Sequence, residues 1–186
     1  MALSKSPEII TAHYENCWGG KSTAKYWKRG PIEELTPGFT VLEFPPTKDR
    51  NMWTYATCGM SQQGDAPPVE IHLFVPVQSE SLVELLTVIA HYHLTGAYLD
   101  VGHTVNFGRP WLAGSTCDHG LISLPYLDGP KLEWLEESDQ KIHFLWLVPI
   151  TLAEVQFKMT HGLEALESRF DSSQFNYLNP KRTSVV

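Results

Sequence analysis

Eight histidines are the first residues in this 186-residue chain that could do chemistry. His91-Tyr92-His93 falls in a segment of helical periodicity, with His103 and His119 further on. A metal held by one helix takes ligands three or four residues apart, because those share a face. His91 and His93 are two apart and diverge by roughly 200° at 3.6 residues per turn. No HExxH, strand-borne HxH or Cys/His pair completes a site. Cys117 and His119 pair a thiol with an imidazole, but dyads are normally assembled from separate elements. Ser61 follows Gly59-Met60, as in a nucleophile elbow, yet position 63 is Gln where the second glycine belongs. Trp18-Gly19-Gly20-Lys21-Ser22 ends like a phosphate loop without its first glycine or a preceding strand. Cys17, Cys58 and Cys117 are far apart, without CxxC spacing, and read as buried, reduced thiols. No cofactor is expected. The enzyme alternative is a metal-dependent protein of unrecognised type using the histidines, His91 and His103 above all, with Asp100.

Trp53-Thr54-Tyr55-Ala56-Thr57 is more informative, since a strand puts Trp53, Tyr55 and Thr57 on one face. Large amphipathic rings on one face either pack beneath a helix or anchor a partner. The totals favour a protein partner over other classes. With 14 Lys and Arg against 21 Asp and Glu, the net charge of −7 repels nucleic acid. The only clustered positives are Lys25, Lys28 and Arg29, with Lys181 and Arg182 in the tail. At 42% hydrophobic the chain can bury a core without staples. No apolar run approaches the ~20 residues of a membrane span, and the opening residues lack the pattern of a signal sequence. A cytoplasmic protein is expected.

The elements that must position these residues are legible. Ser6-Pro7-Glu8 opens a helix that carries Ile10, Tyr14 and Cys17 and stops at Gly19-Gly20. Strands are expected at Ala24–Trp27, Thr40–Phe44, Asn51–Cys58, Val69–Val75, Thr104–Phe107, Leu121–Leu124 and Ile142–Val148, with prolines punctuating the loops. Ser81-Leu82-Val83-Glu84 has capping-box spacing and starts a helix to about Leu94. Thr151-Leu152-Ala153-Glu154 has the same spacing and opens a helix that Gly162 breaks, with Leu163–Phe170 continuing. The fold class is α/β in the α+β sense: one mixed twisted sheet flanked by about three helices. A single domain over residues 1–170 is expected. Residues 171–186 form a polar C-terminal tail with no packed role.

Taken in order, these pieces resemble the suppressor of fused family. The carrying residues are Trp53-x-Tyr55-x-Thr57-x-Gly59-Met60-Ser61, then Glu70 leading IHLFVP, then the helix through Leu82, Leu85, Ile89, Ala90 and Tyr92. Gly102-His103, the strand FLWLVPI and the Thr151-x-x-Glu154 helix start complete the set. The resemblance implies a domain without known catalysis. Animal members are scaffolds that hold a transcription factor through an extended peptide; single-domain bacterial members look like immunity proteins that neutralise toxins. Only Gln62 to Val69 separates Ser61 from Glu70, so the long acidic loop of the animal proteins is absent.

The expected function is therefore a non-catalytic protein-binding module, an antitoxin-like immunity protein that occludes a toxin, as monomer or homodimer. A regulatory scaffold for an endogenous protein is the further alternative. Trp53, Tyr55, Gln63, Asp65, Asp100 and His103 are the expected partner-binding residues, with aromatics as anchors and acids steering a basic partner. A purely structural alternative has Gly102-His103 fixing a turn and Glu70 meeting a buried partner.

Overall fold

The strands Val69–Val75 (β4) and Gln140–Ile150 (β8) lie side by side at the centre of the sheet because both are runs of β-branched and large apolar residues. They are parallel, with Val69 opposite His143 and His72 opposite Trp146. The computed structural model describes residues 7–30, 32–62, 65–137 and 140–186. On one side of the central pair run Thr23–Lys25 (β1), Thr40–Phe44 (β2) and Trp53–Cys58 (β3), antiparallel in the order β1-β2-β3-β4. On the other side His119–Ser123 (β6) and Thr104–Asn106 (β5) continue the sheet from β8, also antiparallel. Trp134–Glu137 (β7) pairs with the first residues of β8.

A parallel pair requires a crossover, and the connection from β4 to β8 begins with Ser81–Thr95 (α2). Leu82, Leu85, Leu86, Ile89 and Ala90 of this helix pack on Val69, Ile71, Leu73 and Val75 of β4, Tyr55 of β3, and Leu145 and Leu147 of β8. The alternate residues of the same strands face the other way. There Pro7–Trp18 (α1) lays Ile10, Tyr14 and Trp18 over Leu42, Phe44, Ala56 and Phe144. Beside α1, Leu152–His161 (α4) and Leu163–Ser173 (α5) place Val155, Leu166 and Phe170 over Phe74, Trp146, Val148 and Ile150. The result is the expected mixed sheet, with helices on both faces.

Five α-helices are present among the described residues rather than about three, since α5 is separate from α4 and a single turn, Pro130–Glu133 (α3), precedes β7. Neither α3 nor β7 is anticipated by periodicity, as each is only four residues long. Of the two expected capping boxes, only the one at α4 forms, with Thr151 and Glu154 satisfying each other's backbone amides. At α2 the position is taken by Glu80, already in right-handed helical conformation. Leu82 and Val83 amides bond the carbonyls of Ser79 and Glu80, so Ser81 lies inside the helix. Its hydroxyl meets that of Ser79, and Glu84 pairs with Arg109. Ser6, the expected cap of α1, lies outside the described residues.

The tail departs most from expectation. Helix α5 runs on to Ser173, and Phe175, Tyr177, Leu178 and Val185 lie against the core under α4 and α5. Arg182 is only 7% exposed. Its guanidinium forks onto Glu154, Nη1 to Oε1 at 2.7 Å and Nη2 to Oε2 at 2.8 Å, and also donates to the Pro149 carbonyl at 2.9 Å. Burial pushes the Glu154 carboxyl up, but Arg182 and the amides of Thr151 and Val185 outweigh it and hold it below its usual value. Mean polarity hid this, because four apolar side chains and one bidentate ion pair are enough to seat an otherwise polar segment.

Candidate functional site

The motif from Trp53 to Ser61 is organised by Glu70. This carboxylate is fully buried and accepts four hydrogen bonds: from Thr57 Oγ1 at 2.6 Å, Gly59 N at 3.0 Å, Ser61 N at 3.0 Å and Ser61 Oγ at 2.6 Å. Gly59 allows the chain to turn there with φ of +104°, and a Cβ would meet Phe39 Cα at 3.4 Å. Burial raises the Glu70 carboxyl, and the bonds from Ser61 and Thr57 oppose that rise. Ser61 is thus a ligand of a structural carboxylate and is itself buried.

The residues expected to bind a partner do not form one patch. Trp53 pairs with Val75 at the far end of β4, whereas Asp65 precedes the near end at Val69. The two ends of β4, Val69 and Val75, lie roughly 20 Å apart at about 3.3 Å per residue. Tyr55 is fully buried under α2, and its hydroxyl donates to Glu43 at 2.8 Å and accepts from Ser79 N at 2.9 Å. It presents no atom to a partner, which corrects its expected role as a surface anchor. Asp100 and His103 are exposed and lie together, His103 Nδ1 being 3.3 Å from Asp100 N and 3.0 Å from Tyr98 O. Asp65 is exposed, and Gln63 lies outside the described residues.

The histidines are likewise dispersed. His91 Nε2 meets Glu34 at 2.8 Å, while the buried His93 spans Pro67 O and Leu99 N. His119 meets its neighbour Asp118 at 2.6 Å, and burial raises the Cys117 thiol. Among the described residues, no three His, Cys, Asp or Glu side chains come together as metal ligands would.

What the fold does build is a cleft of about 510 Å³ between the turn after β6 and the end of α5. Leu121, Trp146, Val148 and Phe170 line it from the sheet and helix, and Phe175 and Tyr177 from the tail. Tyr126, 60% exposed, and Leu127, 46% exposed, stand on one rim. Glu167 and Asp171, one helical turn apart on α5, stand on the other. Tyr126 Oη donates to Glu167 at 3.3 Å across the mouth. Burial raises the Glu167 carboxyl, the Tyr126 bond opposes the rise, and the charges of Asp171 and Glu164 add to it.

Behind one wall lies a polar cluster of a different kind. Six buried side-chain atoms of described residues lack a hydrogen-bond partner: Tyr14 Oη, Trp18 Nε1, Arg50 Nη2, both ring nitrogens of His72, and Asp128 Oδ2. All belong to one neighbourhood. The Arg50 guanidinium sits 5.2 Å from the centres of both the Trp18 and Phe74 rings and donates to Asp128 at 2.6 Å. His72 lies 5.4 Å from the Trp18 ring and 4.0 Å from Asp128 Oδ2. Phe74 and Tyr177, with ring centres 6.0 Å apart, separate the cluster from the cleft. Burial first, and the Arg50 charge second, push the His72 imidazole down to about 3.

None of the cleft residues was expected from sequence to bind a partner. The available signal is Phe170, Phe175 and Tyr177 in a segment that is otherwise polar, a spacing without reason unless the rings pack. Tyr126 and Leu127 carry no such signal, because their exposure depends on how the turn sits over the sheet.

Comparison with known proteins agrees with this architecture. A family model described as suppressor of fused protein matches residues 36–183. The immunity protein YqcF of Bacillus subtilis (strain 168) is 22% identical over 196 residues, covering 100% of both chains. The crystal structure of a suppressor of fused homolog from Neisseria gonorrhoeae FA 1090 superposes with a TM-score of 0.86 at 32% identity, covering 97% of this chain and 96% of that one. The Sufu–Fu complex contains a chain of the same fold, with a TM-score of 0.68 at 14% identity, covering 98% of this chain and 93% of that one. With a match to most of its length and a shared fold from end to end, this chain belongs to the suppressor of fused family.

Proposed function

We propose that this protein is a non-catalytic immunity module that neutralises a toxin by binding and covering it. The observation that carries this reading is the aromatic cleft with carboxylates on its rim. It is concave, apolar at its floor and charged at its edge, the anatomy of a surface that anchors a protein side chain. The likeness to an immunity protein over the full length of both chains supports the choice of a toxin as the partner. Occlusion needs only a preformed surface and a long residence time, so no nucleophile or metal has a part in it. The cytosol suits the three cysteines, none of which forms a disulfide.

The test is capture of the partner by tagged protein from a lysate of its source, followed by growth assays in a sensitive host. The captured partner is expected to arrest growth alone and to lose that effect when this chain is co-expressed in stoichiometric complex. A captured partner that is harmless alone moves the reading to a regulatory scaffold. Growth arrest that persists in cells where the complex has formed rejects neutralisation, and failure to retain any partner rejects the binding module.

A further inference from the structure

At Glu167 and Asp171 the rim of the cleft carries negative charge that no cation among the described residues answers. Glu164, Glu167 and Asp171 follow one another along α5 at spacings of three and four residues, so they share one side of the helix. None of them enters an ion pair with a described residue. Some carboxylates elsewhere are answered by a cation, as Glu43 is by Lys25, Glu84 by Arg109 and Glu154 by Arg182, whereas exposed ones such as Asp65 and Asp100 are answered by none among the described residues. The cation on α5 itself, Arg169, turns instead to the Phe157 ring at 5.6 Å. Crowding like charges on one helix face is unfavourable by a few tenths of a kcal/mol per pair. Here it coincides with an aromatic hollow just below.

We infer that the cleft is a receptor for an arginine side chain of the partner protein, with the guanidinium held between the aromatic lining and the carboxylates of Glu167 and Asp171. This rests on the protein-binding reading and adds the chemistry of the anchor. Arginine fits better than lysine on three counts. Its planar head stacks on aromatic rings, it sheds water more readily than an ammonium, and its fork of N–H groups can bond two carboxylates. Tyr126 supplies a ring and a hydroxyl at the mouth. A volume of about 510 Å³ exceeds one guanidinium, so an apolar residue flanking the arginine fills the rest against Leu121, Leu127 and Phe170. A bare cation without an apolar neighbour is a poor match.

The experiment titrates the whole protein with the capped peptide acetyl-Leu-Arg-Leu-amide and follows backbone and indole signals by NMR. Two control peptides replace Arg by Lys and by citrulline, which keeps the shape and removes the charge. The arginine peptide is expected to shift the signals of Tyr126, Leu127, Glu167 and the Trp146 indole, with binding weakened about tenfold or more by citrulline. Added salt should weaken it as well. Glu167→Gln with Asp171→Asn, in a variant shown by its thermal midpoint to fold, is expected to weaken binding by a similar factor. Citrulline binding as well as arginine, shifts that map elsewhere, or no shift at millimolar peptide would each overturn the inference. The inference and its parent reading can fail separately. A toxin that binds the double variant undiminished sinks the arginine receptor and leaves the immunity module standing.

Discussion

Glu70 and His72 stand two residues apart on the same face of β4, and both are completely buried, but their surroundings treat them in opposite ways. Around Glu70, Thr57 at the end of β3 and the turn that follows it deliver two hydroxyls and two amides to one carboxylate. Around His72, Tyr14 and Trp18 from α1, Arg50 from the loop before β3 and Asp128 from the loop after β6 come together and leave six polar atoms of the cluster without partners. The first arrangement fixes the fold, because every donor it gathers would be stranded if the acceptor went. The second costs free energy at every orphaned atom, on the order of 1–3 kcal/mol each before relaxation. It lies within the core under α1, with Phe74 and Tyr177 between it and the cleft. Burial alone therefore says little about what a polar residue contributes, and the partners decide it.

Several substitutions would break or sharpen this contrast. Glu70→Ala should be the most damaging, with a loss on the order of 4 kcal/mol as Thr57, Gly59 and Ser61 lose their acceptor. Urea unfolding measures it, and a loss below about 1 kcal/mol would mean that Glu70 is not the organiser of the motif. Arg182→Ala comes next, at about 3 kcal/mol, because it leaves the buried Glu154 carboxylate without its cation. Amide hydrogen exchange over residues 175–186 should quicken in the same variant. Protection unchanged from the parent would show that the tail is held by its aromatic residues alone.

His72→Phe should have the opposite sign to Glu70→Ala and leave stability unchanged or raise it by roughly 1 kcal/mol, since two orphaned nitrogens are removed. A large loss would reveal that the imidazole has a partner after all. The same residue predicts a pH dependence. Its folded value, near 3, lies below the ordinary histidine range, so between about pH 6.5 and 3 the unfolded chain takes up a proton that the folded chain refuses. Stability is then fully present above the unfolded value and declines as the pH falls. The slope from this group is about 1.4 kcal/mol per pH unit within that window. His72→Phe should flatten the slope, and an unchanged profile would assign acid sensitivity to other groups.

The smallest effect on stability belongs to Asp100→Asn with His103→Ala, within about 0.5 kcal/mol, because both side chains are exposed. Their value is in binding. If this pair weakens capture of the partner more than Glu167→Gln with Asp171→Asn does, contact lies at the Asp100–His103 turn rather than at the cleft.

Legibility in the sequence varied with the range of the interactions involved. The strand Val69–Val75 could be read to the residue because prolines at 67, 68 and 76 bound an apolar run. The capping box at Thr151 was readable, since its partners lie three residues apart, but the same spacing at Ser81 failed when the preceding turn took over the cap. Of the six residues expected to bind a partner, the strand alternation correctly grouped Trp53 with Tyr55 but could not say that α2 would cover Tyr55. Cleft and cluster alike escaped notice. Tyr126, Trp146, Glu167 and Tyr177 are scattered along the chain, and no local pattern marks residues that meet only across a sheet.

By itself the sequence determined the class of fold, the central strands and the family resemblance, because periodicity, prolines and short motifs act over a few residues and survive without a partner. The tertiary structure alone decided that Glu70 is satisfied and His72 is not, that Arg182 draws a polar tail onto the core, and that two carboxylates of α5 stand beside an aromatic hollow. Each of these depends on groups brought together from distant positions, where desolvation and hydrogen-bond geometry are set by the packed sheet and helices and by nothing in the local chain.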